Sequence, residues 1–305
     1  METIEMLGQP NCLKLSNGTV EVIVTTGVGP RIVGYAFAGG ENILGLCPDE
    51  SVSTALGEWK PWGGHRLWAA PESMPRSYVP DNEPIEAESI DDLSVRLTPP
   101  VEESTGIRKE ITVGLDDAGS RVTVEHRITN HALWPLELAP WAITILNASE
   151  GGTVILPQEP YVPHDDALLP ARSMALWHYT DLGDPRWDFG RRFLRLTVDP
   201  EMAGPQKIGM ANHQGWAAYV HGSTVFVKHF EHDPEAVYPD EGCNCEAYTA
   251  GAFVELETLG PMHRLEPGEW AVHVERWALF ENVDIGATEE EIAEALEPLV
   301  EEGPA

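Results

Sequence analysis

The fourteen residues from Trp59 to Glu72, W-K-P-W-G-G-H-R-L-W-A-A-P-E, hold three tryptophans, a histidine, an arginine and a glutamate. Gly63-Gly64 permits a sharp backbone turn, so His65 and Arg66 leave it in fixed directions. Such polar groups need partners if the segment is buried. Tyr78-Val79-Pro80-Asp81-Asn82 follows with further polar groups among prolines. Far downstream, Phe253, Glu255 and Glu257 alternate with Val254, Leu256 and Thr258, which on a strand puts both carboxyls on one face. If that face lines a concave sheet, desolvation and like-charge proximity raise one carboxyl pKa and create an acid–base group. If it faces water, both are ordinary surface glutamates. His213 and His229 are the other candidate proton carriers. His229-x-x-His232 has the content of a metal site, but residues three apart on a strand face opposite sides, so it would need a strand break at Glu231.

Tryptophan (10) outnumbers phenylalanine (7) and tyrosine (7). Its flat apolar face and single N–H suit the C–H faces of a sugar ring; core packing is the plainer use. A serine nucleophile is not supported, since no G-x-S-x-G is present. No G-x-x-x-x-G-K-S/T and no G-x-G-x-x-G occur, which argues against nucleotide cofactors. Cys243-Asn244-Cys245 has no second cysteine pair to complete a zinc site. No cofactor is expected.

The elements that must position these residues read as β-structure. Short β-rich runs cover 20–26, 31–37, 93–98, 107–115, 121–129 and 136–146, then 193–198, 216–221, 224–230, 252–259 and 270–280. Val122, Val124, His126 and Ile128 share one face of theirs. Many short strands separated by glycine and proline predict an all-β antiparallel sandwich or barrel. Thr288-Glu289-Glu290-Glu291 forms a capping box before Ile292, Leu296 and Leu299, predicting one helix over about 288–301. Residues 47–82 and 157–192 read as long, strand-poor loops rich in Trp, Pro, His and Arg, where function often sits on a β scaffold.

The chain has 305 residues, with 50 acidic against 19 basic and a net charge of −31. That balance excludes most general nucleic-acid binders and disfavours anionic membrane surfaces. No apolar run approaches the length of a membrane span, and the N-terminus lacks the pattern of a secretory leader. With four scattered cysteines, the expectation is a reduced, cytoplasmic protein with a small-molecule partner and neither nucleic acid nor membrane.

Several motifs in order resemble the galactose mutarotase-like (aldose 1-epimerase-like) superfamily. They are Gly27-Val-Gly-Pro-Arg31-Ile, Gly63-Gly-His65-Arg66, and Asn130 followed by Leu136-Glu-Leu-Ala-Pro-Trp141. Glu255-Leu-Glu257-Thr-Leu-Gly-Pro261, Leu265-Glu-Pro-Gly268-Glu269 and Trp277 complete the series. The GGHRLW-x-APE and YxPDN strings are similar to one branch of it. The resemblance spans nearly the whole chain. It implies a single β-supersandwich over 1–305, with a sugar site on a concave sheet. It further implies a glutamate base on the anomeric hydroxyl, a histidine acid on the ring oxygen, and no metal. The base falls on Glu255 or Glu257: Leu256-Glu257-Thr258 matches the family string, and Glu255 shares its face. By register the family's histidine falls near Trp141, so His65, His213 or His229 would supply the acid. Arg31 and Arg66 would bind sugar hydroxyls or an anion, together with Lys228, and Trp68 and Trp141 would line the sugar. A hydrolase on the same scaffold would pair Glu255 or Glu257 with Glu72 or Asp81. A binding module would need neither acid nor base.

Overall fold

The computed structural model describes residues 1–302; the last three residues of the span expected as one domain lie outside them. Two large antiparallel sheets face each other. In spatial order the first runs Glu2–Met6, Gln9–Ser16, Val20–Val24, Ile32–Phe37, His65–Ala70, Leu136–Asn147, Phe253–Leu259, Cys245–Ala250, Gln206–Met210 and Met174–Leu176. His263–Leu265 adds to the end of Leu136–Asn147. The second runs Glu86–Ser89, Ser94–Thr98, Ile107–Leu115, Val122–Asn130, Trp270–Phe280, Thr224–Phe230, Trp216–His221, Gly152–Pro157, Phe193–Val198 and Trp187–Phe189.

The period-2 pattern explains which faces meet. Val122, Val124, His126 and Ile128 are buried while Thr123 and Glu125 are exposed, so the apolar faces of the two sheets close on one another. Tyr35, Phe226 and Trp277 pack ring to ring at 5.6–6.1 Å in that interlayer. The helix Glu289–Glu302 buries Ile292, Ala293 and Leu296 against the outer face of the second sheet, on Ile155, Phe193, Trp216, Val225 and Val227. Its capping box forms as expected: the Glu291 N–H donates to Thr288 Oγ1 at 3.3 Å, and the Thr288 N–H donates back to Glu291 Oε2 at 3.0 Å. Among the described residues no helix is long and apolar enough to cross a membrane.

The 47–82 segment corrects the loop expectation. His65–Ala70 is a central strand of the first sheet, buried at all six positions. A strand covered on both faces does not alternate, so its run H-R-L-W-A-A carries no period-2 signal. The same reason applies to Gln206–Met210, also buried throughout. Alternation does not announce that strand, nor Cys245–Ala250, Gln9–Ser16 and Gly152–Pro157.

Candidate functional site

Strand alternation sends successive residues of the first sheet to opposite faces. His65 and Leu67 point into the interlayer; Arg66 and Trp68 point out over the open face. In register across the sheet lie Trp68 opposite Trp141, Arg66 opposite Ile143, and Ile143 opposite Glu257. Next come Glu257 opposite Glu246, and Tyr248 opposite both Glu255 and Lys207. All of these side chains except the fully buried Glu246 and Glu257 floor an open cleft of about 910 Å³. Trp59 and Tyr78 wall one side, Trp177 and Tyr179 the other, and Glu50 and Glu72 stand at the rim.

Two cations anchor the floor. Arg66 Nη2 donates to Glu255 Oε1 at 2.8 Å, and its guanidinium carbon lies 4.7 Å from the Trp68 ring centroid and 5.5 Å from that of Trp59. Lys207 Nζ sits 4.9 and 4.7 Å from the Trp141 and Trp177 rings. It donates to Glu257 Oε2 at 2.9 Å and makes a charge contact with Glu246 Oε2 at 2.7 Å. The Trp141 Nε1–H also donates to Glu257 Oε2, at 2.7 Å. Burial works against the Lys207 charge, but Glu246 and Glu257 more than offset it and hold its pKa well above the ordinary lysine value. Burial pushes Glu246 well up. It also raises Glu255, against the pull of Arg66 and with the repulsion of Glu257.

Glu255 therefore lines the cleft with one oxygen held. Glu257 shares its face but is fully buried behind Trp141 and Lys207, and its Oε1 has no partner. Arg66, Trp68, Trp141 and Glu72 line the same cleft.

Other expected site residues lie elsewhere. Arg31 donates to the Pro30 carbonyl (2.9 Å), the Pro61 carbonyl (3.3 Å) and Asp81 (2.5 Å); both it and Asp81 brace the loop that carries Trp59 rather than reach the cleft. His229, expected as a proton carrier, lies in the second sheet, where its Nε2–H donates to the Val300 carbonyl under the C-terminal helix at 3.1 Å. His213 pairs with Glu159 at 2.8 Å and packs against His232 with tilted rings 4.6 Å apart, outside the residues lining the cleft. The strand ends at Phe230, so the break at Glu231 does occur, yet it turns His232 to His213 and not to His229.

His65 and Lys228 correct the expectation most clearly, because both lie between the sheets with no exposure. A closed hydrogen-bond chain holds them. The His273 carbonyl can only accept, so His126 Nδ1 carries the hydrogen of that 3.0 Å bond. His126 Nε2 then accepts from His65 Nε2–H at 2.6 Å. His65 Nδ1 accepts from the Thr144 hydroxyl (2.8 Å), which accepts from Lys228 Nζ (2.6 Å). Lys228 also donates to the Leu256 carbonyl (3.2 Å) and to Glu275 (2.9 Å). Glu275 accepts from Thr258 and from Trp277 Nε1, and His273 Nε2–H donates to Thr258 at 2.7 Å. Burial lowers the pKa of His65 and His126 and takes His273 down to about 3. Burial alone would raise Glu275; the Lys228 ammonium overrides it and holds Glu275 well below the carboxylate range. His65, His126 and Glu275 each bring one ligand-type atom within 4.8 Å of the others. Two nitrogens 2.6 Å apart are a hydrogen bond, closer than two ligands sit around one ion bound at about 2.0–2.1 Å, and the Lys228 ammonium already supplies the positive charge.

Lys207 and Tyr248 are cleft-lining residues that pattern reading missed. A signal was present: Q-K-I-G-M places a lysine inside a short apolar run of a strongly acidic chain.

No family model matches the sequence, and no curated protein matches it. Solved structures do match in fold. An Escherichia coli K12 protein provisionally named an aldose 1-epimerase superposes with a TM-score of 0.58 at 14% identity, over 89% of this chain and 99% of that one. A galactose mutarotase-like protein from Lactobacillus casei gives 0.55 at 12% identity, over 88% and 100%. A galactose mutarotase related enzyme from Lactobacillus acidophilus gives 0.54 at 9%, over 90% and 98%. The architecture is the galactose mutarotase-like β-sandwich.

Proposed function

We propose that the cleft on the first sheet binds a sugar and interconverts its anomers, with Glu255 as the proton acceptor. The observation that carries this is the state of Glu255: it lines an aromatic-walled cleft, with Oε1 fixed by Arg66 and its pKa raised by burial. A base works best when its pKa approaches the working pH. Glu255 takes the proton of the anomeric hydroxyl as the bond from C1 to the ring oxygen breaks, its electron pair passing to that oxygen. Lys207 spends two of its three N–H groups on Glu257 and Glu246 and supplies a proton from the third to the ring oxygen. Rotation about C1–C2 and the reverse transfers close the other anomer. This scheme places a lysine where the resemblance expects a histidine, because Trp141 stands at that position and holds Glu257 instead. The chain works on a small sugar, without a cofactor, in the cytoplasm.

Anomer exchange measured by NMR across a panel of free aldoses, with Glu255→Gln and Glu257→Gln, tests the reading. Glu255→Gln should slow exchange by about 10²-fold or more. Undiminished exchange in that variant refutes Glu255 as the base. The presence of Trp141 at the expected histidine position favours a second reading, a binding module without catalysis. Sugar-induced shifts with no acceleration of exchange would establish that one.

A further inference from the structure

We propose that the sugar taken by this cleft carries a protonated amine, so that the ligand class is an amino sugar rather than a sugar phosphate, a uronate or a neutral aldose. The proposal rests on the sugar-site reading above. Five carboxyls lie at or under the cleft: Glu50 and Glu72 line its rim, Glu255 its floor, and Glu246 and Glu257 are buried beneath it against Lys207. Among the described residues two cations line the cleft, Arg66 and Lys207, and each is already within 3 Å of a carboxylate. Even with Glu246 protonated, the carboxylates outnumber the cations.

An incoming anion finds no cation to spare. Arg66 Nε and Nη1 are unpartnered but closed off from solvent, with the rings of Trp59 and Trp68 against the guanidinium. A phosphate could engage them only by taking that stack apart. In a cleft with apolar walls, the excess negative charge is weakly screened and repels further negative charge.

An incoming cation finds two kinds of partner. Glu72 keeps its carboxylate at the rim, oriented by the Tyr78 hydroxyl that donates to it, and among the described residues it makes no ion pair. Glu257 Oε1 also lacks a partner, but it is closed off behind Trp141 and Lys207 and adds only its charge. The aromatic walls supply ring faces that favour positive charge. The molecule already uses them this way, seating Arg66 on Trp59 and Trp68, and Lys207 on Trp141 and Trp177.

The test is calorimetric titration with glucose, glucosamine, N-acetylglucosamine and glucuronate, at low salt and about pH 6, where a sugar amine is protonated. Glucosamine should bind about 10-fold tighter than glucose or its N-acetylated, uncharged relative, and glucuronate weakest. The preference should shrink at about 0.5 M salt, where charges are screened within a few ångströms. Glu72→Gln should bring the glucosamine-to-glucose ratio to within about threefold; a ratio taken on one preparation is independent of its folded fraction. Neutral sugars binding as tightly as glucosamine would overturn the amine proposal and leave the sugar site standing. No binding by any of the four would overturn both. An undiminished ratio in Glu72→Gln would refute Glu72 as the partner of the amine.

Discussion

Replacing Lys228 by methionine separates a core role from a binding role. Its ammonium is 2.9 Å from Glu275, and both side chains are fully buried. At an effective dielectric constant near 20 that attraction is worth about 6 kcal/mol, set against a desolvation cost of several kcal/mol per ion. Lys228→Met removes the attraction and leaves the Glu275 carboxylate charged and dry, while freeing the Thr144 oxygen and the Leu256 carbonyl. Losing one partner of a buried pair costs about 3–5 kcal/mol. For a chain of this size that is about 6–10 °C in Tm, at roughly 2 °C per kcal/mol. The double variant Lys228→Met/Glu275→Gln removes both charges, and the side-chain amide oxygen it introduces can still accept from the Trp277 N–H. It should regain at least half the loss. Urea unfolding followed by circular dichroism, in a double-mutant cycle, measures the coupling. A loss below about 1 kcal/mol in the single variant, or a double variant no more stable than it, would refute the account of the interlayer network. Sugar affinity of folded Lys228→Met should match wild type; its loss would put Lys228 at the ligand after all.

The interlayer histidines should cost stability on acidification, set against the raised carboxyls of Glu246 and Glu255, which bind protons when folded and pull the other way. His65, His126 and His273 have folded pKa values below the unfolded value of about 6.5, so the unfolded state binds more protons below that pH. For His273, at about 3 when folded, the loss reaches about 3 kcal/mol by about pH 4.5. The depressed Glu275 adds to it once the pH falls below about 4.5, its unfolded value. Thermal unfolding unchanged between about pH 7 and pH 5 would contradict this. Arg66 lowers the Glu255 pKa, so Arg66→Met should move the acid limb of the anomer-exchange profile to higher pH; an unmoved limb would separate Glu255 from Arg66 functionally. Gly64 has φ +66°, and a Cβ there would collide with the Ile32 carbonyl. Gly64→Ala should therefore cost about 2–3 kcal/mol in chemical denaturation, and a cost under about 0.5 kcal/mol would show that the turn relaxes.

The sequence by itself determined the all-β architecture, because half-buried strands write their faces as alternation: Val122–Asn130, Ile107–Leu115 and Trp270–Phe280 stand where the pattern put them. It also determined the final helix, whose capping box is a local interaction of residues three apart. Glu255, Arg66, Trp68 and Glu72 could be marked from residue type and spacing, and Trp141 from the family resemblance. Tertiary structure decided the rest. Whether His65 or Arg66 faces the cleft depends on which side of a doubly buried strand is the interlayer, and H-R-L-W-A-A contains no period to say so. Lys207 and Lys228 are both lone lysines in apolar strands, and only sheet pairing sends one to the cleft and the other to the core. The partners that fix their charges, Glu257 and Glu275, lie 50 and 47 residues away in sequence, and that distance is closed only by strand pairing within each sheet.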